Sequence, residues 1–134
     1  MNHTARWLLV LPVALAATAV SWILLTLAWN ITSTVNIVPQ LDTISIGLAN
    51  FGINAISAGL GVFAGTRMAP HHWSRTSIVL GAVYLIIAFV AIAYGVSARE
   101  RMSMSLGWHI WSTIAWIIGT IGGVLKAQNI PSPK

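Results

Sequence analysis

The chain has 134 residues, 57% of them hydrophobic and only 7% charged, with a net charge of +5 and no cysteine. A soluble domain carries about 25% charged residues, so this chain lacks the polar groups needed to cover a water-facing surface. The missing thiols exclude disulfides, thiol redox chemistry, iron–sulfur ligation and CxxCH-type haem attachment.

The length accommodates about four spans of ~20 residues. The expected fold is therefore all-α: a four-helix transmembrane bundle forming one domain over residues 1–134. Residues 7–29, WLLVLPVALAATAVSWILLTLAW, hold no charge and begin and end on tryptophan. At 1.5 Å per residue the two rings stand about 33 Å apart, the spacing of two interfacial belts. Arg6 followed by an apolar run and Ala14-Leu15-Ala16 also fits a signal peptide. The apolar run continues well past that point, which favours a span. Pro12 lies in the second turn, where a missing hydrogen bond is tolerable. Residues 30–43 read as a polar loop, with Asp42 or Thr43 placed to cap the next helix.

The second span, residues 44–66, is the expected centre of the bundle. At 100° per residue, Gly47, Asn50, Asn54, Ser57, Gly61 and Gly65 fall on one stripe. Ser57, Gly61 and Gly65 follow small-xxx-small spacing, which lets helix backbones approach closely. The turn RMAPHHWSR follows. Pro70 stops the helix, Ser74 is placed to cap the next one, and Trp73 suits an interface. Arg67, His71, His72 and Arg75 make this turn a candidate for anionic lipid headgroups. Two adjacent histidines point in different directions and are too few to hold a metal, so no metal site is expected.

In the third span, residues 76–97, the small residues Ser77, Gly81, Ala88, Ala91 and Gly95 line one face beside Tyr84. A short charged loop, residues 98–106, leads to the fourth span, residues 107–125. There Ser112, Ala115, Gly119 and Gly123 repeat the small-residue spacing, and Lys126 anchors the end. The set Ser57-Gly61-Gly65 recurs as Ala115-Gly119-Gly123 at an offset of 58 residues, a weak internal repeat.

Chemistry is sparse. No Asp, Glu, Lys or Arg lies inside any expected span, and intramembrane charge is the usual mark of proton relays and ion coupling. An enzyme is not expected. Asn50 and Asn54 either line a path for a small solute or hydrogen-bond between helices. His109, Thr113, Trp116 and Thr120 share a face of the fourth span. His109 either bonds at the interface or serves as an axial ligand to a haem or chlorophyll-type pigment; no other cofactor is expected. Trp7, Trp29, Trp73, Trp108 and Trp111 fit interfacial anchoring, and Trp22 and Trp116 lie deeper. The basic residues form no run and no face interleaved with aromatics, which argues against nucleic acid.

Arg6, Arg67, Arg75, Lys126 and Lys134 fall on one side and only Arg99 and Arg101 on the other. That imbalance places both termini in the cytoplasm. The segments SAGLGVFAGTRMAP, LGAVYLIIAF and IGGVL, with the short basic turn, cover about half the chain. In them it resembles a broad group of small four-span proteins of the bacterial cytoplasmic membrane. The resemblance implies the fold and no activity. Small multidrug-resistance transporters carry a glutamate within the first span, where this chain has none. The function expected from plentiful packing faces and few chemical groups is an accessory or assembly subunit, packed against other membrane subunits or its own copies in the lipid bilayer. A small oligomeric transporter or channel with an asparagine-lined path is the alternative, and a pigment-holding subunit using His109 the third.

Overall fold

The computed structural model describes residues 3–34, 43–97 and 106–130. They form four helices: α1 His3–Thr34, α2 Thr43–Met68, α3 Trp73–Ser97 and α4 Leu106–Gln128. Each contains a stretch long and apolar enough to cross a membrane, of 30, 25, 22 and 22 residues in chain order. A helix is the natural state of such segments, because it satisfies every interior backbone group within the segment.

All four helices overrun the spans expected from hydropathy. Residues 30–34, read as loop, continue α1. The Thr32 hydroxyl donates to the Ala28 carbonyl (2.8 Å) and the Ser33 hydroxyl to the Asn30 carbonyl (2.9 Å). These side chains bond back along the helix instead of opening a turn. The rest of that loop with Asp42, the side chain of Thr43, and the Arg99-Glu100-Arg101 loop lie outside the described residues.

The turn between α2 and α3 also differs in detail. α2 ends before Pro70, as expected. His72 then adopts a left-handed conformation (φ 56°). Its carbonyl accepts from both the Thr76 amide (2.9 Å) and the Thr76 hydroxyl (3.1 Å). α3 thus begins at Trp73, and Ser74 falls inside its first turn rather than capping it. Trp73 is only 7% exposed and donates its indole N–H to the Ala69 carbonyl (2.9 Å), so it closes the end of the core.

α2 is the centre. It packs against α1 on one side and α4 on another, while α3 lies mainly on α4 and touches α2. α2 and α4 run in the same direction at near backbone contact. A Cβ on Gly59 would stand 2.9 Å from the Gly119 carbonyl oxygen, one on Gly123 2.6 Å from that of Gly59, and one on Gly119 would collide with the Ala55 carbonyl. α1 crosses α2 antiparallel, with Ala14 and Val10 against Gly65. Ala14, Ala58, Ala69, Ala88 and Ala115 are buried, whereas Leu8, Ile44, Phe89 and Tyr94 are exposed. Small residues inside and large apolar ones outside are the arrangement expected where lipid, not water, surrounds the bundle.

Candidate functional site

The site begins at Tyr84, the largest fully buried side chain among the described residues. Tyr84 of α3 is fully buried, and its hydroxyl lies 2.7 Å from that of Thr18 on α1. Thr18 donates its single proton to the Ala14 carbonyl (3.0 Å). Tyr84 is therefore the donor in the bond between them. Gly61 of α2 makes room for this pair: a Cβ there would collide with Thr18 Oγ1 and stand 2.5 Å from the Tyr84 hydroxyl. Three helices thus meet at one hydrogen bond, over a glycine.

From Tyr84 toward the end of the bundle that carries His109, the packing loosens. Trp116 of α4 stacks on Tyr84 (ring centroids 5.7 Å, interplanar angle 20°). Beyond it opens a partly enclosed pocket of ≈ 210 Å³. α2 contributes Asn54 and α4 contributes His109, Ser112, Thr113 and Trp116. α3 contributes Ala88 and Ala91, whose short side chains leave the space unfilled, and Ile87. At the same end Trp111 donates its indole N–H to the Gly47 carbonyl (2.8 Å) and packs on Phe51 (5.0 Å).

The polar groups around this pocket divide into satisfied and unsatisfied ones. Asn54 Nδ2 donates to the Asn50 carbonyl (2.8 Å) and to the Asn50 side-chain oxygen, so the two asparagines bond along α2 and not between helices. The Thr113 hydroxyl donates to the His109 carbonyl (2.7 Å). His109 Nε2 and Trp116 Nε1, both on pocket-lining residues, are buried without a hydrogen-bond partner. So are Ser57 Oγ and Thr120 Oγ1, one turn further in on α2 and α4. Each such atom left unpaired costs about 1–3 kcal/mol. Their concentration in one region marks unmet hydrogen-bonding capacity. Among the described residues no group of three His, Cys, Asp or Glu side chains converges. The arrangement offers hydrogen bonds and shape, the means of binding.

The residues expected to form packing faces separate by location. Ser57, Gly61 and Gly65 of α2, Gly81 of α3, and Ala115, Gly119 and Gly123 of α4 are spent inside the chain. Gly47, Asn50 and Asn54 continue the α2 stripe to the His109 end, where it meets Trp111 and the pocket. The surroundings of Gly95 lie outside the described side chains. Gly59 is not on the stripe yet packs directly on the backbone of α4. Its signal was the Ala55-xxx-Gly59 spacing, on the opposite side of the same helix.

The basic turn divides, with Arg67 and His71 against aromatic rings and His72 and Arg75 lining one cleft. The Arg67 guanidinium lies over the Phe63 and Trp73 rings (5.4 and 4.8 Å to the centroids). His71 meets the rings of Trp7 and His72 edge-on. Arg6 Nε donates to the Met68 carbonyl (3.2 Å), tying α1 to the end of α2. Arg75 is exposed on α3, beside a separate cleft. No protein-family model matches this chain, and neither does a curated protein or a solved structure.

Proposed function

We propose that this protein sits in a membrane through its four helices and binds a small, partly polar solute in the pocket between α2, α3 and α4. The observation that carries this reading is one cavity lined by His109 and Trp116, each of which holds a buried ring nitrogen without a hydrogen-bond partner. Trp116 can only donate, so the solute that suits the site presents a hydrogen-bond acceptor. The volume lies below the ~300–1,000 Å³ of pockets for drug-sized ligands, and favours a compact molecule over a haem-type macrocycle. With no charge inside the four expected spans, binding or passive passage suits the site better than ion-coupled transport. Asn54, bonded to Asn50 one turn nearer the start of α2, would extend the polar path.

The test is solute permeability of proteoliposomes toward urea, glycerol and small amides, read by stopped-flow light scattering. At least one solute is expected to enter faster than in protein-free vesicles, and Ala91→Leu, which fills the pocket from α3, to abolish the gain. Equal rates with and without protein, for every solute, would sink the transport reading. Thermal-shift screening with the same solutes then decides whether binding alone survives.

A second reading, an accessory subunit or self-assembling chain, draws support from the open side of this region. Ile86, Phe89, Val90 and Tyr94 leave the far half of α3 uncovered, and a Cβ on Gly52 would meet nothing within 4 Å. Most small-residue positions are consumed within the chain, so this reading rests on that open side and not on a spare glycine face. Mild extraction followed by native gel separation and mass spectrometry tests it; an absorption spectrum of the same band tests pigment at His109. The distribution of Lys and Arg supports an orientation with both termini in the cytoplasm. Protease accessibility of a C-terminal tag checks that orientation.

A further inference from the structure

At the opposite end of the bundle α1 and α3 stand apart. Between them runs a cleft of ≈ 380 Å³. Val10 and Leu80, both buried, form its floor, and Leu11, Val79 and Val83 its walls. Gly65 of α2 lies beneath the floor, against Ala14, Leu80 and Val10. The mouth is different in kind: it carries the exposed Arg75 and His72, with Trp7 opposite them on α1. Tyr84, one residue beyond Val83, is where α3 is tied to α1 through Thr18.

We propose that this cleft holds one acyl chain of an anionic glycerophospholipid, with the lipid phosphate at Arg75 and His72. Two observations select that occupant. The first is length. Arg75 to Val83 is eight residues of helix, about 12 Å, close to the ~15 Å depth of one leaflet of a ~30 Å hydrocarbon core. A partner transmembrane helix needs the full thickness, and the Thr18–Tyr84 bond bridges the two helices before that depth. The second is charge. No acidic residue occurs among the described residues. The only two in the chain, Asp42 and Glu100, fall in sequence between α1 and α2 and between α3 and α4. An apolar slot one leaflet deep, with a cationic mouth and an indole beside it, matches a lipid chain under an anionic headgroup. This site is separate from the solute pocket, shares no lining residue with it, and requires only that the helices lie in a bilayer.

The experiment uses the full chain reconstituted in nanodiscs of equal parts phosphatidylcholine and phosphatidylglycerol, then released into the gas phase for native mass spectrometry. One retained lipid per chain is expected, phosphatidylglycerol over phosphatidylcholine by about fivefold, the effect of one arginine at an anionic surface. Arg75→Gln should erase the preference while leaving a lipid bound. Val79→Trp, at an exposed position that the fold tolerates, should expel the lipid. Equal retention of the two lipids by the wild type overturns the proposal. An unchanged preference in Arg75→Gln, undiminished retention in Val79→Trp, or a retained species with the mass of a free fatty acid does the same.

Discussion

The two ends of this bundle are built from the same residue types and behave differently. At the Arg67 end, glycine faces a backbone or a fitted side chain: Gly123 meets Gly59, Gly65 meets Ala14, and Gly81 meets Val124. Trp73 and Ala69 close that end with a hydrogen bond. At the His109 end, Ala88 and Ala91 of α3 face an unfilled space, and two ring nitrogens beside it have no partner. Small residues bring helices together only where the opposing surface is also small or is shaped to enter. Where the opposing helix carries His109, Thr113 and Trp116, the same small residues leave a pocket.

The α2–α4 glycine seam is the place to break the contrast most forcefully. Gly119→Val would place methyl groups on the Ala55 carbonyl and separate α2 from α4. The expected loss is about 3 kcal/mol or more, at the upper end of overpacking effects, seen as a lower midpoint in near-ultraviolet circular dichroism melts in mild detergent. Tyr84→Phe, at the boundary between the halves, should cost about 0.5–1.5 kcal/mol. A double-mutant cycle with Thr18→Val should return a coupling of about 0.6 kcal/mol, the average for interhelical hydrogen bonds in a bilayer. Coupling near zero would mean that Tyr84 acts through packing alone.

At the solute pocket the effect on stability should nearly vanish. Ala91→Leu adds bulk at an exposed position and should change stability by no more than about 0.5 kcal/mol, while removing solute binding. A large destabilisation would show that the pocket is packed in solution. The smallest expected effect lies in the turn. His72→Gly relieves a left-handed conformation worth about 1–2 kcal/mol, offset by roughly 0.5–1 kcal/mol of chain entropy. A gain of some tenths of a kcal/mol is expected in the same melts.

Several parts of this arrangement were legible in residue order. The α2 stripe, the Ala115-Gly119-Gly123 spacing and the shared face of His109, Thr113, Trp116 and Thr120 are all periodicities of a single helix. Their partners were not legible. The offset of 58 residues pairs Gly61 with Gly119, yet Gly119 packs on Ala55 while Gly61 shelters Thr18 and Tyr84. Two sequence-equivalent glycines face different neighbours, because α2 lies between α1 and α4 and must present a small surface on both sides. Gly59 serves the second surface, and a search for one stripe passes over it. Ser74 shows the same limit on a smaller scale. A serine near a helix start reads as a cap, but the left-handed turn at His72 starts the helix earlier and places it inside.

What the sequence determined by itself is the count and chemistry of the helices. In a bilayer, apolar runs of about twenty residues with charges only at their ends leave the helix as the state that satisfies the backbone. The stop at Pro70 is equally local, since proline cannot continue the hydrogen-bond ladder. Only the tertiary structure decided which faces meet, and with them both candidate sites. The solute pocket exists because a polar face of α4 and the end of the α2 stripe converge on a stretch of α3 too small to fill the gap. The lipid cleft exists because α1 and α3 are each held by other helices and touch through Thr18 and Tyr84 above Gly61. Helix periodicity specifies a face; the direction it points is set by the packing of all four helices at once.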